Sequence, residues 1–266
     1  MTNKLKDVQN TPDERGVDIQ KVGIKDVELP LIIQRKYSGN QTVFAKARVS
    51  VNLPKNYKGT HMSRFMEVLN SWSQKQLLAD DIKGFLAEVK SKLDSTSAEV
   101  KFSFKYFIEK KAPVSKITSM QGYDCFFKGV LDENEYTFFL GVKVPVTTLC
   151  PCSKEISDYS AHNQRAIVKV CVTYPENEQV WIEDLVKLVE ECGSCEVYPL
   201  LKRKDEKFVT EKAYNNPKFV EDVIRDIVIR LRKNELVETF ETEVEAFESI
   251  HNHSAWAYQK EVKFGV

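Results

Sequence analysis

The chain has 266 residues, enough to bury a sizeable core as one large domain or two small ones. It carries 39 Lys and Arg against 39 Asp and Glu, so no global field draws it to nucleic acid or to an anionic membrane. Its longest apolar runs, such as 138–142, are too short to span a bilayer, and the polar start Met1-Thr-Asn-Lys-Leu-Lys-Asp7 lacks the apolar core of a secretion signal.

Residues 1–20 are polar and aperiodic, which predicts a mobile tail, with a first domain beginning near residue 25. Strands are expected over 28–37 and 43–53; in the second, Val43, Ala45, Ala47, Val49, Val51 and Leu53 alternate with mostly polar neighbours. Helices follow over 62–75 and 79–93, the first carrying Met62, Phe65, Met66, Leu69 and Trp72 at three- and four-residue steps. Strands over 100–108 and 123–131 complete the first pass, and the turn-like Asp132-Glu-Asn-Glu135 closes it. A second pass then begins, with strands over 136–147 and 164–173 and a helix over 181–192. Asn216-Pro217 reads as an N-cap and a first-turn proline opening a helix to about 233. Strands over 238–250 and 255–262 end the chain. The doubled order of strand, strand, helix, helix, strand, strand predicts an α+β protein of two tandem modules, 25–134 and 135–266, after a tail of 1–24. Modules of this kind have open sheet edges, which predicts closure by self-association.

The six cysteines (125, 150, 152, 171, 192 and 195) are few for a disulfide scaffold, so a reduced, cytoplasmic setting is expected, where close thiols bind metal or do chemistry. The run Thr148-Leu-Cys-Pro-Cys-Ser-Lys-Glu-Ile-Ser-Asp-Tyr-Ser-Ala-His162 concentrates that chemistry between two expected strands. Cys150, Cys152 and His162 are natural ligands of a borderline-soft divalent ion such as zinc or ferrous iron. Three ligands at most fall short of a closed structural zinc site and favour an open, catalytic one. The alternative for each cysteine is a small buried hydrophobe. His251 and His253 stand two apart, so on a strand they would share a face and could shuttle protons near neutral pH; as ordinary turn histidines they would do neither. Glu206, Lys202 and Arg203 read by themselves as solvated charges, and Glu221 as a complement to a helix dipole. Cys192-Gly-Ser-Cys195 has redox spacing, but it follows a helix instead of opening one.

The strings LCPCSKEISDYSAHNQR, YPLLKRKDEKFVTEKAYNNPKFVEDVIRD and ESIHNHSAWA, with GTHMSRFMEVL near Gly59, resemble those of GTP cyclohydrolase type IB over nearly the whole chain. The resemblance implies the tunnelling fold, in which such modules assemble into oligomeric barrels, here a homotetramer with sites between subunits. It implies hydrolysis of GTP at guanine C8, release of formate and recyclisation to 7,8-dihydroneopterin triphosphate. It further implies one divalent metal (manganese, zinc or iron) held by Cys150, His162 and Glu206, with Cys152 either a further ligand or a redox partner of Cys150. By the same resemblance Glu221 grips the guanine edge, His251 and His253 serve catalysis with Cys150, and His61, Arg64, Lys202 and Arg203 contact the triphosphate. The competing readings are a tunnelling-fold deazapurine nitrile reductase and a non-enzymic zinc-binding or redox-sensing module.

Overall fold

The computed structural model describes residues 7–9, 11–37, 39–73 and 79–263. Nine strands follow in chain order: β1 (Ile19–Gln34), β2 (Asn40–Leu53), β3 (Ser97–Lys111), β4 (Thr118–Asp132), β5 (Glu135–Leu149), β6 (Asn163–Thr173), β7 (Cys195–Glu196), β8 (Thr239–Ala246) and β9 (Ala255–Val262). Six helices join them: α1 (Met62–Trp72), α2 (Ala79–Leu93), α3 (Pro151–Ile156), α4 (Ile182–Glu190), α5 (Arg203–Asn215) and α6 (Val220–Lys233). The hydrogen-bonded strand order is β1-β2-β3-β4-β5-β6-β8-β9, with β7 paired to β5. The chain divides into two compact units, residues 1–104 with 126–138, and residues 105–125 with 139–266.

In the first unit, the alternation predicted for β2 is realised: Val43, Ala45, Ala47 and Val49 are buried and Phe44 between them is exposed. Its partner β1 is longer than the sequence suggests, starting at Ile19, where the pairing reaches Leu53. The turn into β2 uses Gly39 at φ 67, a left-handed conformation that a Cβ would disfavour. Part of the segment 1–24 expected as a tail is paired, since β1 begins at Ile19 and residues before it accept hydrogen bonds. Lys58 and Gly59 donate their backbone N–H groups to Thr11 and Gln9 carbonyls, and Lys55 donates to Asp18, because a turn without a partner strand must satisfy its donors elsewhere.

Helices α1 and α2 bury Phe65, Val68, Leu69, Ile82, Phe85, Leu86 and Val89. Met62 and Met66, expected on the buried face of α1, are exposed, and Val68 takes that place. Position 75, the expected end of this helix, lies outside the described residues. Gly129 on β4 admits α2 closely, since a Cβ there would meet Ile82 Cγ2 at 2.5 Å. Glu99 on β3 gathers Lys21 at 2.6 Å, Arg48 at 3.2 Å and Lys128 at 3.4 Å. Burial opposes its charge, but these cations hold its carboxyl below the ordinary carboxylate range.

In the second unit, β5 pairs antiparallel with β6, β6 with β8, and β8 with β9. Helices α4 and α6 present Leu185, Val186, Val189, Val223, Ile227 and Leu231 to the core. Three elements went unread in the sequence: α3, β7 and α5. Helix α6 also starts later than expected, because Phe219, not Asn216, is its N-cap, with Asp222 accepting from the Phe219 N–H at 3.0 Å. Asn216 instead ends α5, and its amide donates to the Gly193 and Ser194 carbonyls. Likewise β8 stops at Ala246, short of the expected 250.

Candidate active site

The site grows from the end of β5. After Leu149 the chain turns into α3, with Cys150 at the N-cap and Pro151 at the first helical position, where the missing N–H costs nothing. Three hydrogen bonds fix this turn against the start of β6. The Cys150 N–H donates to the His162 carbonyl at 3.1 Å. The His162 N–H donates to Ser153 Oγ at 3.2 Å, and that hydroxyl donates to the Cys150 carbonyl at 3.2 Å. The Cys150 thiol itself accepts from the Ser153 N–H at 3.4 Å. The two candidate ligands that the sequence separates by twelve positions are thus held through one serine.

A buried brace lies behind the turn. Ser194 donates its N–H to the Thr147 carbonyl at 2.8 Å and accepts from the Leu149 N–H through Oγ at 3.1 Å. Gly193 must lack a side chain, because a Cβ would stand 2.7 Å from Val146 Cβ. Cys192 and Cys195 flank this brace, both buried, and burial pushes each thiol up to about 11. Such thiols stay protonated near neutral pH, which suits packing and not redox chemistry.

The cavity beside the turn has a volume of about 310 Å³. Cys150, His162, Glu221, His251 and His253, all singled out in the sequence, line it together. Glu221 enters from the first turn of α6. His251 and His253 sit in the connection between β8 and β9, the turn placement that the sequence left open beside a strand. Their rings nevertheless meet, stacked with centroids 5.0 Å apart and planes 12° from parallel. Thr148, on β5, also lines the cavity; it is 1% exposed and its Oγ1 is buried without a hydrogen-bond partner.

Gln164 and Glu248 are among the lining residues that the sequence did not single out. Gln164 stands opposite Thr148 in the β5–β6 ladder, its Oε1 3.0 Å from His162 Nδ1 and its amide donating to Glu248 Oε1 at 3.3 Å. Glu248 follows β8, with its other oxygen 3.9 Å from His162 Nδ1. The sequence signal for both was their place inside the family-like strings AHNQR and ESIHNH.

The remaining candidates stand elsewhere. Cys152 is exposed on α3. Lys202, Arg203 and Glu206 are exposed at the start of α5 and do not line this cavity. His61 and Arg64 line a different cavity of about 300 Å³ in the first unit, with Tyr57 and Asp94. There His61 Nε2 lies 3.3 Å from Asp7 Oδ2, and Arg64 donates to the Lys92 carbonyl at 3.0 Å. Among the described residues no three His, Cys, Asp or Glu side chains are grouped so as to hold a metal ion. In kind, however, the thiol, imidazoles and carboxylates of the β5-end cavity are the donor types that first-row divalent ions accept.

An antiparallel sheet with paired helices and a cavity at a strand end defines an α+β protein of the tunnelling fold. Two uricases of known structure share this architecture. One from Bacillus fastidious superposes with a TM-score of 0.56 at 8% identity, over 92% of this chain and 93% of that one. One from Arthrobacter globiformis gives 0.52 at 8% identity, over 93% and 94%. Sequence relatives are far closer. The model of the family described as type I GTP cyclohydrolase FolE2 matches residues 5–257. GTP cyclohydrolase FolE2 of Geotalea uraniireducens is 53% identical over 95% of this chain and 92% of that protein. The Magnetococcus marinus and Thermosipho africanus proteins of the same name are 50% and 49% identical, over 96% and 95% of this chain and 95% and 96% of their own lengths. The chain belongs to the type I GTP cyclohydrolase FolE2 family. That membership sets aside the nitrile-reductase and structural-zinc readings.

Proposed function

We propose that this chain hydrolyses GTP at C8 of the guanine, releases that carbon as formate and recloses the ring as 7,8-dihydroneopterin triphosphate, the first step of tetrahydrofolate biosynthesis. What carries this reading is that one cavity gathers the Cys150 thiol, the His162 imidazole and the Glu221 carboxylate in a member of this family. Glu221 accepts from the guanine N1–H and N2–H₂ groups, the two parallel donors of that edge, and so orients C8 toward the β5 turn. Cys150 and His162 would hold one divalent ion (manganese, zinc or iron) together with a carboxylate. The sequence strings nominate Glu206 for it, and the cavity wall offers Glu248. A divalent ion bound there would supply Lewis acidity at the β5 end of the cavity. His251 and His253 exchange protons with the guanine and ribose nitrogens and oxygens as the ring opens and recloses. Lys202, Arg203, His61 and Arg64 contact the triphosphate, and Cys152 serves as an auxiliary ligand or thiol partner of Cys150.

The protein works in the cytoplasm as a homotetramer of paired modules, 25–134 and 135–266. Among the described residues no helix is long and apolar enough to cross a membrane. The test is incubation with GTP and Mn²⁺, then oxidation and fluorescence detection of neopterin. Product is expected from the native chain and not from Cys150→Ala, which should also lose metal. Stoichiometric metal and full turnover in Cys150→Ala would overturn the assignment.

A further inference from the structure

We infer that Gln164 is a positioning residue that fixes the tautomer of His162, so that Nε2 carries the lone pair available for coordination. The inference rests on His162 being a metal ligand and concerns how the protein prepares it. The amide of Gln164 lies between two groups of the cavity wall, His162 Nδ1 at 3.0 Å and Glu248 Oε1 at 3.3 Å. A carboxylate can only accept, so the NH₂ end of Gln164 must face Glu248; the reversed amide would set a carbonyl oxygen against a carboxylate. The Gln164 oxygen therefore faces His162, and an amide oxygen can only accept as well. The proton of the neutral imidazole is thereby placed on Nδ1.

Of the other polar neighbours of the ring, the Glu248 carboxylate can only accept and acts in the same sense, whereas the Ser249 hydroxyl can donate or accept and favours neither tautomer. Glu248 Oε2 lies 3.9 Å from Nδ1 and Ser249 Oγ lies 3.5 Å from it. Every polar contact of the ring among the described residues falls on Nδ1. The backbone of His162 is meanwhile held by Ser153 and Cys150, so the ring has a fixed origin as well as a fixed proton. A histidine that donates one ring N–H to an oxygen acceptor and coordinates through the other nitrogen is the common design of metal-binding imidazoles. Here that acceptor is a glutamine whose own orientation is dictated by Glu248.

The test uses the tautomer directly. The chain has four histidines, so ¹⁵N-histidine labelling of the metal-free protein at about pH 8, where imidazole is neutral, gives a spectrum that can be assigned. In the native chain His162 should show the Nδ1–H form. Gln164→Met, which keeps the length and removes both polar ends, should return His162 toward the Nε2–H form that free imidazole side chains favour. Gln164→Glu, which retains an acceptor for Nδ1–H, should preserve the Nδ1–H form. Thermal unfolding of both variants establishes that they are folded. An Nε2–H tautomer in the native chain, or the same tautomer in the native chain and Gln164→Met, overturns the inference. Competition between the protein and a chelator for Mn²⁺ or Zn²⁺ then reads the consequence, with affinity falling roughly 10- to 100-fold in Gln164→Met. A changed tautomer with unchanged metal affinity would uphold the role of Gln164 and remove His162 from the ligand set, which separates the two failures.

Discussion

Thr148 and Glu221 face the same cavity and pose opposite problems for their side chains. The Thr148 hydroxyl is buried and has no partner, which disfavours the folded state by about 1–3 kcal/mol relative to a satisfied group. Thr148→Val keeps the branched shape and removes the orphan, so its Tm should rise by roughly 2–4 °C for about 1 kcal/mol gained in a chain of this size. A fall in Tm would mean that the hydroxyl is satisfied in solution. Glu221 is exposed in the first turn of α6 and is committed to a ligand in the proposed function. Glu221→Gln replaces one acceptor by a donor that opposes the guanine edge. GTP affinity should drop roughly 10- to 100-fold, with metal content unchanged. Normal GTP affinity in that variant would return Glu221 to a helix-dipole role. At this scale the sequence was informative where chemistry is local: it singles out Cys150, His162, Glu221, His251 and His253, and the structure brings these five to one cavity. Gln164 and Glu248 were not found, because an amide and a carboxylate gain meaning only from the atoms they bridge.

Among the elements, α5 shows what periodicity cannot reveal. Its sequence Arg203-Lys-Asp-Glu-Lys-Phe-Val-Thr-Glu-Lys-Ala-Tyr-Asn215 buries only Asp205 and Ala213, so it has no apolar stripe to announce a helix. What starts it is Asp205, one of the few fully buried charged side chains. Its Oδ2 accepts from the Lys202 N–H at 2.9 Å, and Oδ1 accepts from the Val114 and Ser115 N–H groups at 2.8 and 2.7 Å. One carboxylate thus caps the helix and ties it to the β3–β4 turn. Burial works against its charge, yet the Ser115, Lys202 and Val114 donors hold its carboxyl well below the ordinary carboxylate range. With the folded value depressed, the stabilisation is fully present above the unfolded value near 3.9 and is lost as pH falls through the folded value. Asp205→Asn should therefore lower Tm at pH 7, and the deficit should narrow as pH falls below about 4. A Tm gap that stays constant across that range would show that the charge is immaterial. The helices whose presence was read, α1, α2, α4 and α6, are those with a buried apolar face. The boundaries missed, at β1, β8 and α6, lie where pairing or a cap several residues away decides the end.

At the scale of the whole molecule, the order of the longer strands and of α1, α2, α4 and α6 was legible, and α3, β7 and α5 were not. Both end strands of the sheet, β1 and β9, have a single neighbour, and β9 displays Trp256, Tyr258 and Val262 to solvent. Open edges and exposed aromatics of this kind favour self-association. Light scattering should give four times the chain mass of 30.6 kDa. Mixing inactive Cys150→Ala with an inactive Arg64 variant under subunit exchange should restore part of the activity, with sites between subunits. An active monomer would refute the assembly, and failure of complementation in an exchanging oligomer would place each site within one chain.

The hydrogen bonds among Cys150, Ser153 and His162 bear on how the protein would exchange its ion. Zinc fingers fold around their metal, so chelators unfold them. In this chain the backbone that presents Cys150 and His162, the two proposed ligands, is fastened by Ser153, so an ion binding there would have little disorder to remove. If the proposed ion binds there, it is expected to be replaceable, one divalent ion leaving and another entering without refolding. Stripping with a chelator should leave the far-UV and near-UV circular dichroism unchanged. It should lower the unfolding free energy only by the mass-action amount, roughly 2.7 kcal/mol relative to a hundredfold excess over Kd. Restored ions should load within the mixing time, and their identity in the cell would follow supply more than selection by the fold.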